Sequence, residues 1–436
     1  MSSLVSKALG IISHDPREQH NLICYGGASM LRNAYVPLIS GQTAMAFSLA
    51  LGLSTTQMGL LSLPFLIVGL PTMILSTAFL DRIRNRPRFC GWLEILGVSL
   101  SPTLTLALTI FAVLRGEYLL FPLLFIFGIL SSIFSANYGS VDAMLFSRSI
   151  QPDHRGKFFG LIGIIGGIIG IIFSLLASVA LKYIGFPYAF TLISAAGLIM
   201  IYCAAFLKWN TRELPELVGN DSVQKTSPLK NLVQIFKMKE FTTLMPANLL
   251  RGFGDGAGSY AVVVGMRDIG LPLEIAGYAT AISCFSSLVA NTMIGKFADR
   301  FGAGRMIFPT VVLLCIGLMG MVYSPSAWIF LAFYLLWQIM QLMEATEIPL
   351  VHYDVVPVEV MGAFSSIRLL LLNLTASLSG TIVGISLDIC PAAVVFAVCA
   401  MLKIISSLLF WHGSTIALRR KREAAAAAAA AKASQQ

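Results

Sequence analysis

Long apolar stretches alternate with short polar ones along the whole chain. Twelve stretches match or approach the roughly 20 helical residues that cross a hydrocarbon core: 22–49, 57–79, 89–114, 118–146, 157–181, 184–207, 242–266, 273–296, 304–323, 326–351, 361–385 and 388–411. In hydrocarbon each backbone N–H and C=O must be satisfied within its own segment, so these stretches are predicted to be helices rather than sheet. The pattern therefore predicts an all-α polytopic membrane protein of twelve spans. The widest interruption runs from Lys208 to Phe241, too short for a folded soluble domain.

Composition fits that picture. Hydrophobic residues make up 57% of 436 and charged ones 12%, about half the share that a water-facing surface needs. The net charge of +9 raises the question of nucleic acid, and the positions of the cations answer it. Of 30 Lys and Arg, 23 lie at the two ends of the chain or in the loops after spans 2, 4, 6 and 8, while the opposite loops hold Arg115, Lys182 and Arg267. Such an asymmetry is a topology signal. It places both termini in the cytoplasm of a cell inner-membrane protein and leaves no nucleic-acid footprint. The first 21 residues show no cleavable signal pattern, so the first span is expected to act as the insertion signal. The seven cysteines sit singly, and no His/Cys/Asp cluster has metal-ligand spacing.

The chain also repeats itself. Gly59 precedes Asp81-Arg82 by the same 22 residues that separate Gly277 from Asp299-Arg300, at an offset of 218. Asp142 precedes Pro152 by 10 residues, as Glu347 precedes Pro357, at an offset of 205. Six spans are thus repeated by six. The expected organisation is a cytoplasmic segment 1–21, a six-helix bundle 22–207, a central loop 208–241, a second bundle 242–411 and a basic, alanine-rich tail 412–436.

The residues Gly295-Lys-Phe-Ala-Asp299-Arg300-Phe-Gly302-Ala-Gly-Arg305 resemble the loop signature GxxxDRxGxxR of the major facilitator superfamily. The first-half copy keeps Asp81, Arg82 and Arg88 but has Thr77 and Arg84 where glycines are expected. Span number, repeats and central loop extend the resemblance over nearly the whole chain. It implies two pseudo-symmetric six-helix bundles working by alternating access, with substrate bound at the midplane between them. It also implies a gating latch formed by Asp81, Arg82, Gly295, Asp299, Arg300, Gly302 and Arg305, in which Asp299 meets the start of span 5 and Asp81 the start of span 11. The blander reading of the Arg82–Arg88 cluster is as a topology determinant alone.

Charges inside the spans mark the candidate chemistry, because an Arg, Lys or Asp at a helix centre costs roughly 2.5–3.5 kcal/mol on insertion. Arg32 in span 1 and Arg251 in span 7 are offset by 219, within one residue of the repeat. Asp142 in span 4 and Glu347 in span 10 are repeat mates, with Glu344 one turn from Glu347. The resemblance places spans 1, 4, 7 and 10 around the central cavity. In one reading Arg32 and Arg251 bind an anionic substrate through planar guanidinium groups, with Asn137, Tyr138, Gln338 and Gln341 as further substrate contacts. In the other, Arg32 pairs with Asp142, and Arg251 with Asp255 or Glu344. Asp142, Glu344 and Glu347 are the proton-coupling candidates. Lys403 reads as lipid-facing or paired, and Glu94 as structural.

Glycine spacing adds two expectations. Gly156, Gly160, Gly163, Gly166, Gly167 and Gly170 in span 5 permit close helix contact. The run Gly252-Phe-Gly254-Asp255-Gly256 in span 7 predicts a bend or partly unwound stretch; buried in an apolar span, it has no context for a dinucleotide site. With neither a nucleotide motif nor a catalytic constellation, no cofactor or enzymatic activity is expected. The sequence therefore reads as a monomeric, gradient-driven carrier of a small polar organic solute, an organic anion favoured, with a proton or counter-solute as coupled partner and the bilayer as its solvent. Efflux of amphipathic cations is the alternative within that class, and a sensor or scaffold without flux the alternative outside it.

Overall fold

The computed structural model describes residues 15–73, 75, 83, 85–100, 103, 107, 120–215, 239–356 and 358–433. Among them every regular element is helical. In chain order the helices are α1 (Pro16–Ile39), α2 (Gly41–Ala50), α3 (Thr55–Leu60), α4 (Arg86–Leu93), α5 (Leu120–Ser149), α6 (Pro152–Tyr183), α7 (Tyr188–Trp209) and α8 (Lys239–Gly254). They continue as α9 (Gly256–Ser259), α10 (Ala261–Asp268), α11 (Ile275–Phe301), α12 (Ala303–Val322), α13 (Ala327–Val355), α14 (Val358–Ile389) and α15 (Ala392–Ala433). Two short π-helical segments, Phe65–Gly69 and Glu94–Val98, lie in the second and third predicted spans.

Eight helices among the described residues are long and apolar enough to cross a membrane. The first and seventh predicted spans are broken, and parts of the second, third and fourth lie outside the described residues. In the first span, α1 is capped by Asp15 with Pro16 in its opening turn. It stops at Ser40, whose backbone is extended; Gly41, at φ +58°, then lets the chain turn into α2, a conformation costly for a residue with a Cβ. In the seventh span the breaks fall at Asp255 and Tyr260, within and just beyond the run of glycines that predicted them. Large apolar side chains such as Ile164, Ile168, Ile172 and Val179 line an outward stripe of α6, as a lipid-facing surface requires.

The chain divides into two compact units. The first comprises Met1–Gln224, Ser259–Leu288 and Gly380–Ile389; the second comprises Lys225–Gly258, Val289–Ser379 and Cys390–Gln436. In the first unit, Tyr25, Tyr138, Val141, Leu145, Phe158 and Ile162 share one apolar cluster. Small residues permit the close contacts: a Cβ on Gly166 would lie 2.4 Å from Asn33 Nδ2, and one on Gly277 2.8 Å from the backbone N of Ser178. The same unit gathers a line of polar contacts. The Thr43 and Thr280 hydroxyls are 3.1 Å apart, and Thr381 Oγ1 donates to the Gly59 carbonyl at 3.0 Å. Asp388 accepts from the Thr55 hydroxyl and from Thr56 N–H at 2.8 Å, with Arg267 Nη1 3.7 Å away. In the second unit, α12 and α13 pack tightly because Gly317 and Gly320 leave room for the Trp337 backbone and the Phe333 ring. The last helix, α15, runs unbroken for 42 residues.

Candidate functional site

Among the described residues, each unit holds a largely buried cluster of two cations and two carboxylates. In the first, Lys208 near the end of α7 is 1% exposed and lies 3.1 Å from Glu94 and 2.8 Å from Asp142. Glu94, fully buried, begins the π-helical segment that follows α4, and its carboxylate accepts the Tyr35 hydroxyl from α1. Lys208 also donates to the Tyr138 hydroxyl. Arg32, one turn before Tyr35, lies over the Tyr138 ring with its central carbon 4.2 Å from the centroid. Its nearest carboxylate is Asp142 at 3.8 Å, and 37% of its side chain is exposed, against 21% for Asp142. At that separation the pair attracts without sharing a hydrogen bond.

The second unit repeats the composition with a different layout. Arg251 Nε is 3.4 Å from Glu344 and 3.9 Å from Asp255. Lys403 of α15 pairs with both carboxylates, and its ammonium lies 3.2 Å from Gln341 Oε1. Gln341 in turn donates to Asp255 at 2.8 Å. Arg251, Glu344 and Lys403 are 7%, 1% and 1% exposed, while Asp255 keeps 23%. Here the arginine is closed in, and both carboxylates are shared between it and Lys403. The broken seventh span makes this layout: the end of α8 brings Arg251 and Asp255 to one cluster, and Gly254 is small enough for the Lys403 stem to pass beside it.

Glu347 stands apart. It is fully buried, its Oε1 accepts from Thr310 at 3.0 Å, and its Oε2 has no hydrogen-bond partner among the described residues. No described cation lies within ion-pair reach of it. One turn on, buried His352 meets Asn248 at 3.2 Å.

The remaining predicted positions are spread out. Asn137 is buried beside Tyr138 in α5, and Gln338 is half-buried in α13. Tyr260 is fully buried and donates to the Gly380 carbonyl at 2.9 Å. Of the latch motif, Asp81 and Arg82 lie outside the described residues. Gly295, Asp299 and Arg300 occupy the last turns of α11, Gly302 at φ +82° joins it to α12, and Arg300 and Arg305 are exposed. A separate cavity of about 300 Å³ in the first unit is lined by Ile39, Ser40, Gln42, Met45 and Ser259, none of them charged.

One cation, Lys208, departs from its sequence reading, and another, Lys403, takes one of the two readings offered for it. Lys208 counts there among the topology-setting cations of the loop after the sixth span, yet it is buried and paired inside α7. Lys403 reads there as lipid-facing or paired, and it is paired at the centre of the second cluster. A lysine near a helix end looks the same in sequence whether it anchors at the interface or turns inward. What settles the matter is a carboxylate on another helix.

Comparison with known proteins agrees with this architecture. A profile of the Major Facilitator Superfamily matches residues 21–380. YwtG of Bacillus subtilis (strain 168), which carries a metabolite-transport name, is 25% identical over 130 residues, a match spanning 30% of this chain and 28% of that relative. Among solved structures, the nucleoside transporter NupG superposes at a TM-score of 0.67 with 12% identity, over 92% of this chain and 99% of that one. A bacterial homologue of the lysosomal transporter Spinster gives 0.64 with 16% identity, over 93% and 99%. A bacterial homologue of the iron transporter ferroportin gives 0.61 with 15% identity, over 95% and 99%. At these identities the likeness carries the fold, and the profile match carries the family. This chain is a polytopic membrane transporter rather than an enzyme, and it belongs to the Major Facilitator Superfamily.

Proposed function

We propose that the protein is a secondary carrier of a small polar organic anion, working by alternating access in the cell inner membrane as a monomer with both termini cytoplasmic. One observation carries the substrate reading. Of the four cations in the two buried clusters, Arg32 alone keeps more than a third of its side chain open, while Lys208, Arg251 and Lys403 are enclosed by carboxylates. Lying over the Tyr138 ring, the part-exposed guanidinium can turn N–H groups to a carboxylate. Tyr138 lines that position in α5, and Asn137 is its neighbour in the chain. Arg251, Gln338 and Gln341 then shape the second unit rather than clamp substrate charge.

Coupling is assigned to Glu347. Asp142 and Glu344 each face a lysine and an arginine, so their charge is balanced in place. Glu347 has no such partner, and a buried carboxyl without a counter-charge gains or loses its charge together with a proton. Proteoliposome uptake of a panel of organic anions, carbohydrates and lipophilic cations tests both assignments. Arg32→Gln should abolish uptake of the anion that the wild type accumulates. Glu347→Gln, which keeps a group able to accept from Thr310, should abolish accumulation driven by a pH gradient while leaving anion exchange intact. Uptake of lipophilic cations, lost on Asp255→Asn and kept in Arg32→Gln, would select the cation-efflux reading.

A further inference from the structure

We infer that Asp142 is a built-in counter-anion for Arg32, released to Lys208 when a monoanionic carboxylate binds; the inference rests on the anion reading proposed above. Asp142 stands between two cations. One oxygen is 2.8 Å from Lys208, and the other is 3.8 Å from Arg32. The first contact is a hydrogen-bonded ion pair and the second is longer than any hydrogen bond. Asp142 is therefore held by Lys208 and merely attracted by Arg32. An incoming carboxylate can take the open edge of Arg32 without leaving Asp142 unpaired, since the ammonium of Lys208 already holds it.

The same arrangement sets the charge of the ligand. Arg32, Lys208, Glu94 and Asp142 sum to zero. A bound monoanion brings the cluster to one net negative charge and a dianion to two, and each uncompensated charge in a low-dielectric surrounding is costly. A phosphate monoester or dicarboxylate is thus disfavoured against a monocarboxylate of similar size. The second unit serves as a contrast. Arg251 has two carboxylates of its own at 3.4 and 3.9 Å, and only 7% of its side chain is open, so the equivalent exchange has no entry there. Lys208 and Glu94 act as positioning residues; they set how strongly Asp142 is drawn away from Arg32.

Calorimetric titration of the purified full chain in lipid nanodiscs, with lactate, benzoate, succinate, glycerol 3-phosphate and glucose as probes, tests the inference. Lactate or benzoate should bind the wild type more tightly than succinate or glycerol 3-phosphate. Asp142→Asn removes the competitor and should tighten monocarboxylate binding about fivefold, the effect of losing one part-exposed ion pair. The charge-neutral double variant Lys208→Met with Glu94→Gln leaves Asp142 to Arg32 alone. It should weaken the same binding by about the same factor, which keeps a reading available if Asp142→Asn fails to fold. Weaker or unchanged binding in Asp142→Asn, or tighter binding in the double variant, overturns the counter-anion role. Monocarboxylate binding that survives Arg32→Gln, or that is absent from wild type and Asp142→Asn alike, overturns the anion reading itself. Loss in Arg32→Gln without gain in Asp142→Asn removes only the present inference.

Discussion

At Lys208 one ammonium group holds two carboxylates from two other helices, and neither carboxylate can be left alone cheaply. Glu94 is fully buried, so Lys208→Met strands its charge, and breaking a buried pair from one side costs about 3–5 kcal/mol. Thermal unfolding of the purified protein should show a large drop for Lys208→Met, most of it recovered when Glu94→Gln is added. Equal losses in the single and double variants would mean that the Lys208 stem matters for packing rather than charge. The sequence discloses part of this cluster. Arg32 and Asp142 stand out as charges in mid-span, and pairing between them is one of the two readings their positions allow. Lys208 and Glu94 do not stand out, because each lies near a helix end where a charge has an ordinary explanation. Their meaning comes from a meeting of the third, fourth and sixth spans, which no local pattern encodes.

Among the elements, the seventh span is the one whose irregularity was written most plainly. Alternate glycines from Gly252 to Gly256 weaken a helix, and the chain breaks at Asp255. The glycines also have partners that the sequence does not name. A Cβ on Gly252 would lie 2.0 Å from Thr375 Oγ1, and one on Gly258 2.0 Å from the Trp337 ring. Replacing glycine by alanine inside a helix ordinarily stabilises it by up to about 1 kcal/mol. At Gly258 the overlap should reverse the sign, to a loss of about 1–3 kcal/mol, read as a lowered midpoint of thermal unfolding. Adding Trp337→Phe should return part of it. The break at Ser40–Gly41 left a weaker trace in the sequence, since one Pro-to-Gly interval in an apolar run has many explanations.

On the scale of the whole molecule, the first unit contains residues from both halves of the sequence, joined by Thr43–Thr280, Thr381–Gly59 and the Asp388 contacts. A carrier that alternates access must part contacts of this kind once per cycle. With Cys203 and Cys390, the exposed thiols, replaced by serine, Thr43→Cys and Thr280→Cys joined by a short thiol cross-linker should stop transport, and reduction of a cleavable linker should restore it. Full transport in the cross-linked protein would show that these segments stay together throughout. None of these contacts was legible beforehand, because hydroxyls on apolar helices carry no pairing rule. The family was legible, since motif spacing survives in sequence where geometry does not. The 42-residue α15 has a mechanical consequence. Its apolar span ends at Thr415, and the 18 residues from there to Ala433 extend the same helix by about 27 Å. A free alanine-rich helix of that length must first form its costly opening turn, whereas this one inherits a turn already fixed by packing. The tail is thus a cantilever whose stiffness is set at its root, and a Gly-Pro insertion near residue 416 would turn a rod into a tether.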